Sequence, residues 1–351
     1  MFEEKSKKSF SKAILVTLIL VVLTTGGYFA IRSNQAKNEL KYQIISTIEK
    51  NIDRGIYIGR VKNYSLKSIT LSDFRVFKNR SLLDEDQIFE AEEIIINYDL
   101  DFLSALKREV PLSVEDITLV KPRMTLIRDS QGTFDFMEKF NLSIISLFPI
   151  KGVNVKEGNL DYIDYQTTKE NGLLTSIKQL NGYFYLAELP KIEFSCSAKR
   201  EEDDSPLLLE GYFFTEKADY VLDFTFKDAE IAHFQYYFVQ DEILKAKKGL
   251  FDSNLRLAND LDGIPGKINW QGKISVKDVN LYSDLLDNLE IKQIYGSAIF
   301  NSQEISIENI TATYQNSPFS LQGDLTYADI LRYNIKVKSD NFKLSDLAEE
   351  A

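Results

Sequence analysis

The chain has 351 residues, 44% hydrophobic, 12% aromatic and 27% charged, with a formal net charge of −11. That length allows two or three compact domains or one elongated array, and the apolar fraction excludes global disorder. The negative charge, with no basic stripe interleaved by aromatics, excludes a protein that tracks nucleic-acid phosphates. Cys196 is the only cysteine and His233 the only histidine. These counts exclude an intrachain disulfide and thiolate metal clusters, and remove most imidazole chemistry.

Residues 1–12 form a short tail containing Lys5, Lys7, Lys8 and Lys12. Ala13–Ile31 follows as 19 uncharged residues, AILVTLILVVLTTGGYFAI. As a helix it would span about 28 Å, close to the hydrocarbon core of a bilayer at about 30 Å. A cleaved signal peptide is the alternative, but the apolar run is long and no A-x-A-like site follows before Lys37. The sequence therefore predicts a single-pass transmembrane helix at 13–31, a cytoplasmic tail at 1–12 and the bulk of the chain outside. Ser33–Asn51 reads as a polar helix with one apolar stripe, Ile44, Ile45 and Ile48, within a helical collar at 32–55.

From Ile56 the hydrophobic period becomes two. Ile94, Ile96, Tyr98 and Leu100 alternate along one stretch; Ile192, Phe194, Cys196 and Ala198 along another. Phe319, Leu321, Gly323, Leu325 and Tyr327 repeat the pattern, as do Tyr333, Ile335 and Val337. These are strands with one apolar and one polar face. Residues 56–170 form a first β region and 171–351 a repeated one. Short helices are expected at Asp101–Arg108, Phe134–Leu147, Asp228–Lys248 and Ser283–Leu289. The acids of Glu201–Ser205 read as a solvated hairpin tip rather than a cation cage.

An internal repeat organises the second region. One copy opens Leu180-Asn181-Gly182 and closes Ser205-Pro206 through Gly211 to Phe213. The other opens Ile294-Tyr295-Gly296 and closes Ser317-Pro318 through Gly323 to Leu325. Tyr220–Lys227 follows the first and Tyr333–Lys338 the second. A repeat of three or four short strands points to a stacked, elongated sheet. If such a sheet curves, its apolar face becomes a trough able to take acyl chains at about 0.8 kcal/mol per buried CH₂.

Three stretches resemble a known family. The membrane-span candidate followed by Asn63–Val76 and Ala91–Leu100 resembles the N-terminal region of the TamB branch of the AsmA-like superfamily. Ile117–Leu126 with Gly132–Phe136 is similar to its next segment, and the Ser-Pro…Gly repeats to its array. The resemblance implies a mainly β fold: an N-terminal transmembrane helix, then an elongated, curved antiparallel sheet forming a groove (a β-taco), with a few short helices. It implies a single-pass protein of the bacterial inner membrane, mostly periplasmic. Its partners would be membrane phospholipids, and a TamA-type outer-membrane barrel or a downstream TamB-like chain. The family's C-terminal domain is expected downstream of Leu347, so the chain reads either as a fragment or as a short relative that would not bridge the two membranes alone.

Two functions follow. One is phospholipid transport between inner and outer membranes, or outer-membrane protein assembly, through a hydrophobic groove. Alternation assigns Ile192, Phe194, Leu209, Phe213, Phe319, Leu321 and Leu325 to that groove. The other is a non-transporting, membrane-tethered β-sandwich adaptor for envelope proteins. An enzyme is not expected: no nucleophile elbow, P-loop, dinucleotide fingerprint or zinc signature occurs, and no cofactor is implied. Asp161 and Asp164 resemble a glycosidase pair only in composition. His233 and Cys196 read as packing residues.

Overall fold

The computed structural model describes residues 34–52, 54–65, 67–80, 82–83, 86–99, 113–131, 150–165, 173–214, 219–234, 245–259, 268–283, 289–326 and 331–339. The span expected at Ala13–Ile31 lies outside them, as do Asp101–Arg108 and Phe134–Leu147. Among the described residues no helix is long and apolar enough to cross a membrane.

The protein is mainly β. Helix α1 (Asn34–Ile52) precedes β1 (Gly55–Tyr64), β2 (Ser68–Phe77), β3 (Gln87–Asp99), β4 (Ser113–Val120), β5 (Arg123–Arg128), β6 (Ile150–Asp164), β7 (Leu173–Tyr185) and β8 (Lys191–Arg200). Then come β9 (Pro206–Phe214), β10 (Tyr220–Glu230), a 3₁₀ turn (Ile231–Phe234), β11 (Lys245–Asn259), β12 (Ile268–Ser283), β13 (Leu289–Asn301), β14 (Glu304–Tyr314), β15 (Ser317–Thr326) and β16 (Arg332–Lys338). All sixteen strands join one hydrogen-bonded sheet, in chain order except that β5 continues the line of β4. The chain divides into two compact units, Met1–Asp164 with Leu174–Phe194, and Tyr165–Leu173 with Ser195–Ala351.

In the first unit, alternating Ile56, Ile58, Ile69, Leu71, Phe74, Ala91 and Ile94 of β1–β3 form a buried core. Helix α1 covers it: Leu40 is buried, and the predicted stripe of Ile44, Ile45 and Ile48 packs alongside. Ile58 is 0% and Leu71 1% exposed. The sheet departs from the expected antiparallel order at one place. β4 and β5 pair antiparallel with β3 but parallel with β6. Parallel neighbours need a long crossover, and the 21 residues between Arg128 and Ile150 supply it. β4 and β5 are two halves of one strand line, interrupted at Lys121 and Pro122, where proline has no amide to donate. The ladder continues through the interruption: Lys121 N–H donates to the Lys156 carbonyl, and Asn159 N–H to that of Pro122, both at 2.7 Å.

The second unit is an antiparallel meander from β9 to β16. The helix expected over Asp228–Lys248 is a correction. β10 runs to Glu230, Ile231–Phe234 is a single 3₁₀ turn, residues 235–244 lie outside the described residues, and β11 begins at Lys245. The reason is a bulge. Pairing with β11 shifts between Phe226 and Ala229, and an inserted residue turns a spacing of two into three, which in sequence imitates a helical face. The turn expected over Ser283–Leu289 is bounded by strand ends, and its interior lies outside the described residues. The two copies of the repeat are β7–β8–β9, followed by β10, and β13–β14–β15, followed by β16.

Candidate functional site

Strand registers align the apolar residues of the second unit into rows running across the strands. The first is Leu209, Phe224, Leu255, Gly272, Phe300, Ile305, Leu325 and Tyr333, from β9 to β16. The second is Leu207, Phe226, Ser253, Ile274, Ala298, Ile307, Gly323 and Ile335. A third runs Ala229, Phe251, Val276, Gly296, Ile310, Leu321 and Val337. Beyond it Val279, Ile294 and Ala312 are buried, with Phe319 packed against them.

The first row is half-buried rather than closed. From Leu209 to Leu325 every member of the first row has intermediate exposure, and Tyr333 is 74% exposed. Side chains along a row shield one another laterally, whereas a second layer would be needed to cover their tops. The best-covered patch lies by the 3₁₀ turn, whose Phe234 ring sits 5.2 Å from Phe226 and 5.0 Å from Phe251. There Ala229 is 0% and Phe251 2% exposed.

Gly272, Gly296 and Gly323 lie in these rows, and Gly211 lies on the same side of β9 beside Leu209. Gly211 and Gly323 adopt φ of +150° and +145°. A Cβ there would run into the carbonyl oxygen of Val221 or Asn334 on the adjacent strand. Both belong to the repeat recognised in the sequence. Such glycines let neighbouring backbones approach and let a strand bend. At Gly272 the Phe300 ring takes the place of the missing side chain and also contacts Trp270 at 5.2 Å between centroids.

The seven predicted groove residues separate into two groups. Leu209, Phe213, Phe319, Leu321 and Leu325 occupy one face of the second unit and are half-buried. Ile192 and Phe194 lie in the first unit at 2% and 9% exposure, with Phe194 stacked on Phe184. Sequence reasoning missed Phe224, Leu255, Phe300 and Ile305. Their local alternation was the available signal, but bulges nearby shift its phase.

The opposite face is polar and ion-paired. Lys273 meets Glu308 at 2.7 Å, Lys248 meets Asp278 at 2.6 Å, and Lys277 meets Asp228 and Asp252 at 2.9 and 2.7 Å. A depression of about 490 Å³ over β10–β13 is lined by Asp223, Thr225, Asn254, Arg256 and Lys273 together with Phe224, Leu255, Ile299 and Phe300.

The acidic turn is the expected hairpin tip, with Glu201, Glu202 and Asp204 exposed, but Asp203 and Ser205 fold inward to form a clasp. Arg200 is 2% exposed; its guanidinium reaches Glu202 and Asp203 at 3.3 Å and lies 4.4 Å above the Phe234 ring. Asp203 accepts from the Ser205 and Glu230 amides at 3.0 and 2.8 Å. Burial pushes its carboxyl up, but these hydrogen bonds and the Arg200 charge prevail and hold it below the usual range.

Asp161 and Asp164 cannot flank one bond. They are three residues apart in an unbulged strand paired with β5, so they point to opposite faces. Asp161 accepts from Ser176, and Asp164 is fully buried beside Tyr162 and Arg128. Burial pushes the Cys196 thiol up to about 11, which keeps it protonated and unreactive at neutral pH. His233 sits in the 3₁₀ turn, its Nε2 3.8 Å from Glu230. Among the described residues no three His, Cys, Asp or Glu side chains gather where they could hold a metal ion. Comparison with family models and with curated proteins finds no match for this chain.

Proposed function

We propose that the chain is a non-catalytic envelope protein, anchored in a bacterial inner membrane, whose apolar sheet face holds phospholipid acyl chains. Its role is lipid transport between inner and outer membranes, or outer-membrane protein assembly, with a TamA-type barrel or a further TamB-like chain as partner. The observation that carries this is the first apolar row, half-buried along its length in a single sheet. At roughly 4.8 Å per strand it extends about 34 Å from β9 to β16. A bilayer core of about 30 Å holds two acyl chains end to end, so one chain fits along the row. An apolar face of this extent marks a binding surface. The likeness to the TamB branch in Asn63–Val76, Ala91–Leu100 and the repeats supports the same class.

Trp270, the only tryptophan, provides the test because it contacts Phe300 of the row. Purified protein loaded with phospholipid brominated on its acyl chains should show quenched Trp270 emission. Leu325→Asp should abolish the quenching, while Gln322→Glu on the polar face should leave it. Unquenched emission from protein that keeps its β-sheet circular dichroism overturns the lipid-binding function and leaves the adaptor as the alternative.

A further inference from the structure

The two outermost strands of the sheet are treated differently. The edge of β1 is occupied by helix α1. Lys37 Nζ donates to the Lys62 carbonyl at 3.3 Å, Lys41 Nζ to that of Gly59 at 3.1 Å, and Glu49 accepts from the Ile56 amide at 3.1 Å. β16 pairs with β15 on one side, and no described strand pairs with its other side. All seven of its residues are exposed. Tyr333, Ile335 and Val337, which end the three apolar rows, are 74%, 38% and 62% exposed.

The cations of this strand differ from those of β11 and β12. On β11 and β12, Lys248, Arg256, Lys273 and Lys277 each face a carboxylate of another strand. β16 carries Arg332, Lys336 and Lys338 on the same polar side. Among the described residues none of the three meets a carboxylate. A bare edge offers a row of unpaired amides and carbonyls as a template for another strand. From this we infer that the edge of β16, unpaired among the described strands, is a docking site for an extended segment of another polypeptide in which apolar residues alternate with acidic ones. The added strand's apolar residues continue the rows beyond Tyr333, Ile335 and Val337. Its acids pair with Arg332, Lys336 and Lys338 as the interior strands pair among themselves. A second copy of β16 would oppose base to base, so the same residues that select an acidic strand reject self-pairing. This docking does not depend on what the apolar face binds.

The test uses the full chain in detergent and two peptides the length of β16, one alternating valine with glutamate, the other valine with lysine. The glutamate peptide should bind at least about tenfold tighter, since several cross-strand ion pairs together approach that ratio. Its binding should weaken with salt and slow hydrogen exchange at the β16 amides. The triple variant Arg332→Glu, Lys336→Glu, Lys338→Glu changes only exposed side chains and should reverse the preference. The proposal is overturned if neither peptide binds or if the triple variant leaves the preference unchanged. Protection of the β16 amides before any peptide is added also overturns it, because the edge would then be covered by another segment of this chain or by a second copy.

Discussion

Arg200 occupies an inward position of β8, in phase with buried Ile192, Phe194, Cys196 and Ala198. That phase was readable in the sequence; of the four acids after it, three stay exposed at the tip and Asp203 alone turns inward, which the run of acids did not reveal. A buried guanidinium must be matched in charge, and Glu202 and Asp203 do this within the turn itself. Arg200→Ala leaves Asp203, whose side chain is 2% exposed, without its cation, and should cost about 3 kcal/mol in urea unfolding. Asp203 titrates lower in the folded protein than in the unfolded chain. Its contribution to stability is therefore complete above about pH 4 and is lost as pH falls through the folded value. The stability difference between wild type and Asp203→Asn should be constant at neutral pH and shrink below pH 4; a difference independent of pH would contradict the clasp. Gly323 sets a different local constraint. With φ at +145° and the Asn334 carbonyl against the missing Cβ, Gly323→Val should destabilise by about 2–4 kcal/mol, combining backbone strain with overlap.

Three of the bulges in this sheet are built in one way. The bulged amides of Glu157, Asp228 and Gln293 donate to the side chains of Asn181, Asp252 and Asn280 at 3.0, 2.7 and 2.9 Å. The donors have φ of +53°, +49° and +53°, so each amide leaves the ladder and an Asn or Asp on the next strand accepts its hydrogen. This is why the element pattern was only partly legible. Alternation located the strands and the glycine repeat located two four-strand groups. A bulge, however, advances the phase by one residue, and at Phe226–Ala229 it produced a helical spacing where β10 continues. Polar residues breaking an apolar alternation, as in Lys227-Asp228 and Lys277-Asp278, were the overlooked signal. Asp252 separates the two parts of the device. Its Oδ1 accepts the Asp228 amide and its Oδ2 meets Lys277. Asp252→Asn keeps an acceptor for the amide and should cost less than about 1 kcal/mol, the worth of an exposed ion pair. Asp252→Ala removes both interactions and should cost about 1–2 kcal/mol in the same denaturant titration.

Across the whole molecule, one kind of apolar face is handled in two ways. In the first unit α1 seals it and Leu71 is 1% exposed. In the second unit the described cover is the 3₁₀ turn over Phe226 and Phe251, and the first row stays half-buried. Composition and alternation located the strands and their apolar sides, and five of the seven named residues share the half-buried face of the second unit. They could not distinguish covered from open, because alternation reports which side is apolar and is silent on what lies above it. Ile192 and Phe194 were grouped with Leu209 and Leu325 for that reason. Energetics should now separate the two cases. Leu71→Ala empties a closed site and should cost about 2–5 kcal/mol. Ile305→Ala removes a side chain of intermediate exposure with no layer above it among the described residues, so little cavity forms and the cost should stay near 1 kcal/mol. Brominated-lipid quenching of Trp270 should respond in the opposite sense, weakening with Ile305→Ala and persisting in whatever Leu71→Ala protein remains folded. Equal destabilisation by the two substitutions would mean that the row is covered as α1 covers the first core, leaving no open face for an acyl chain.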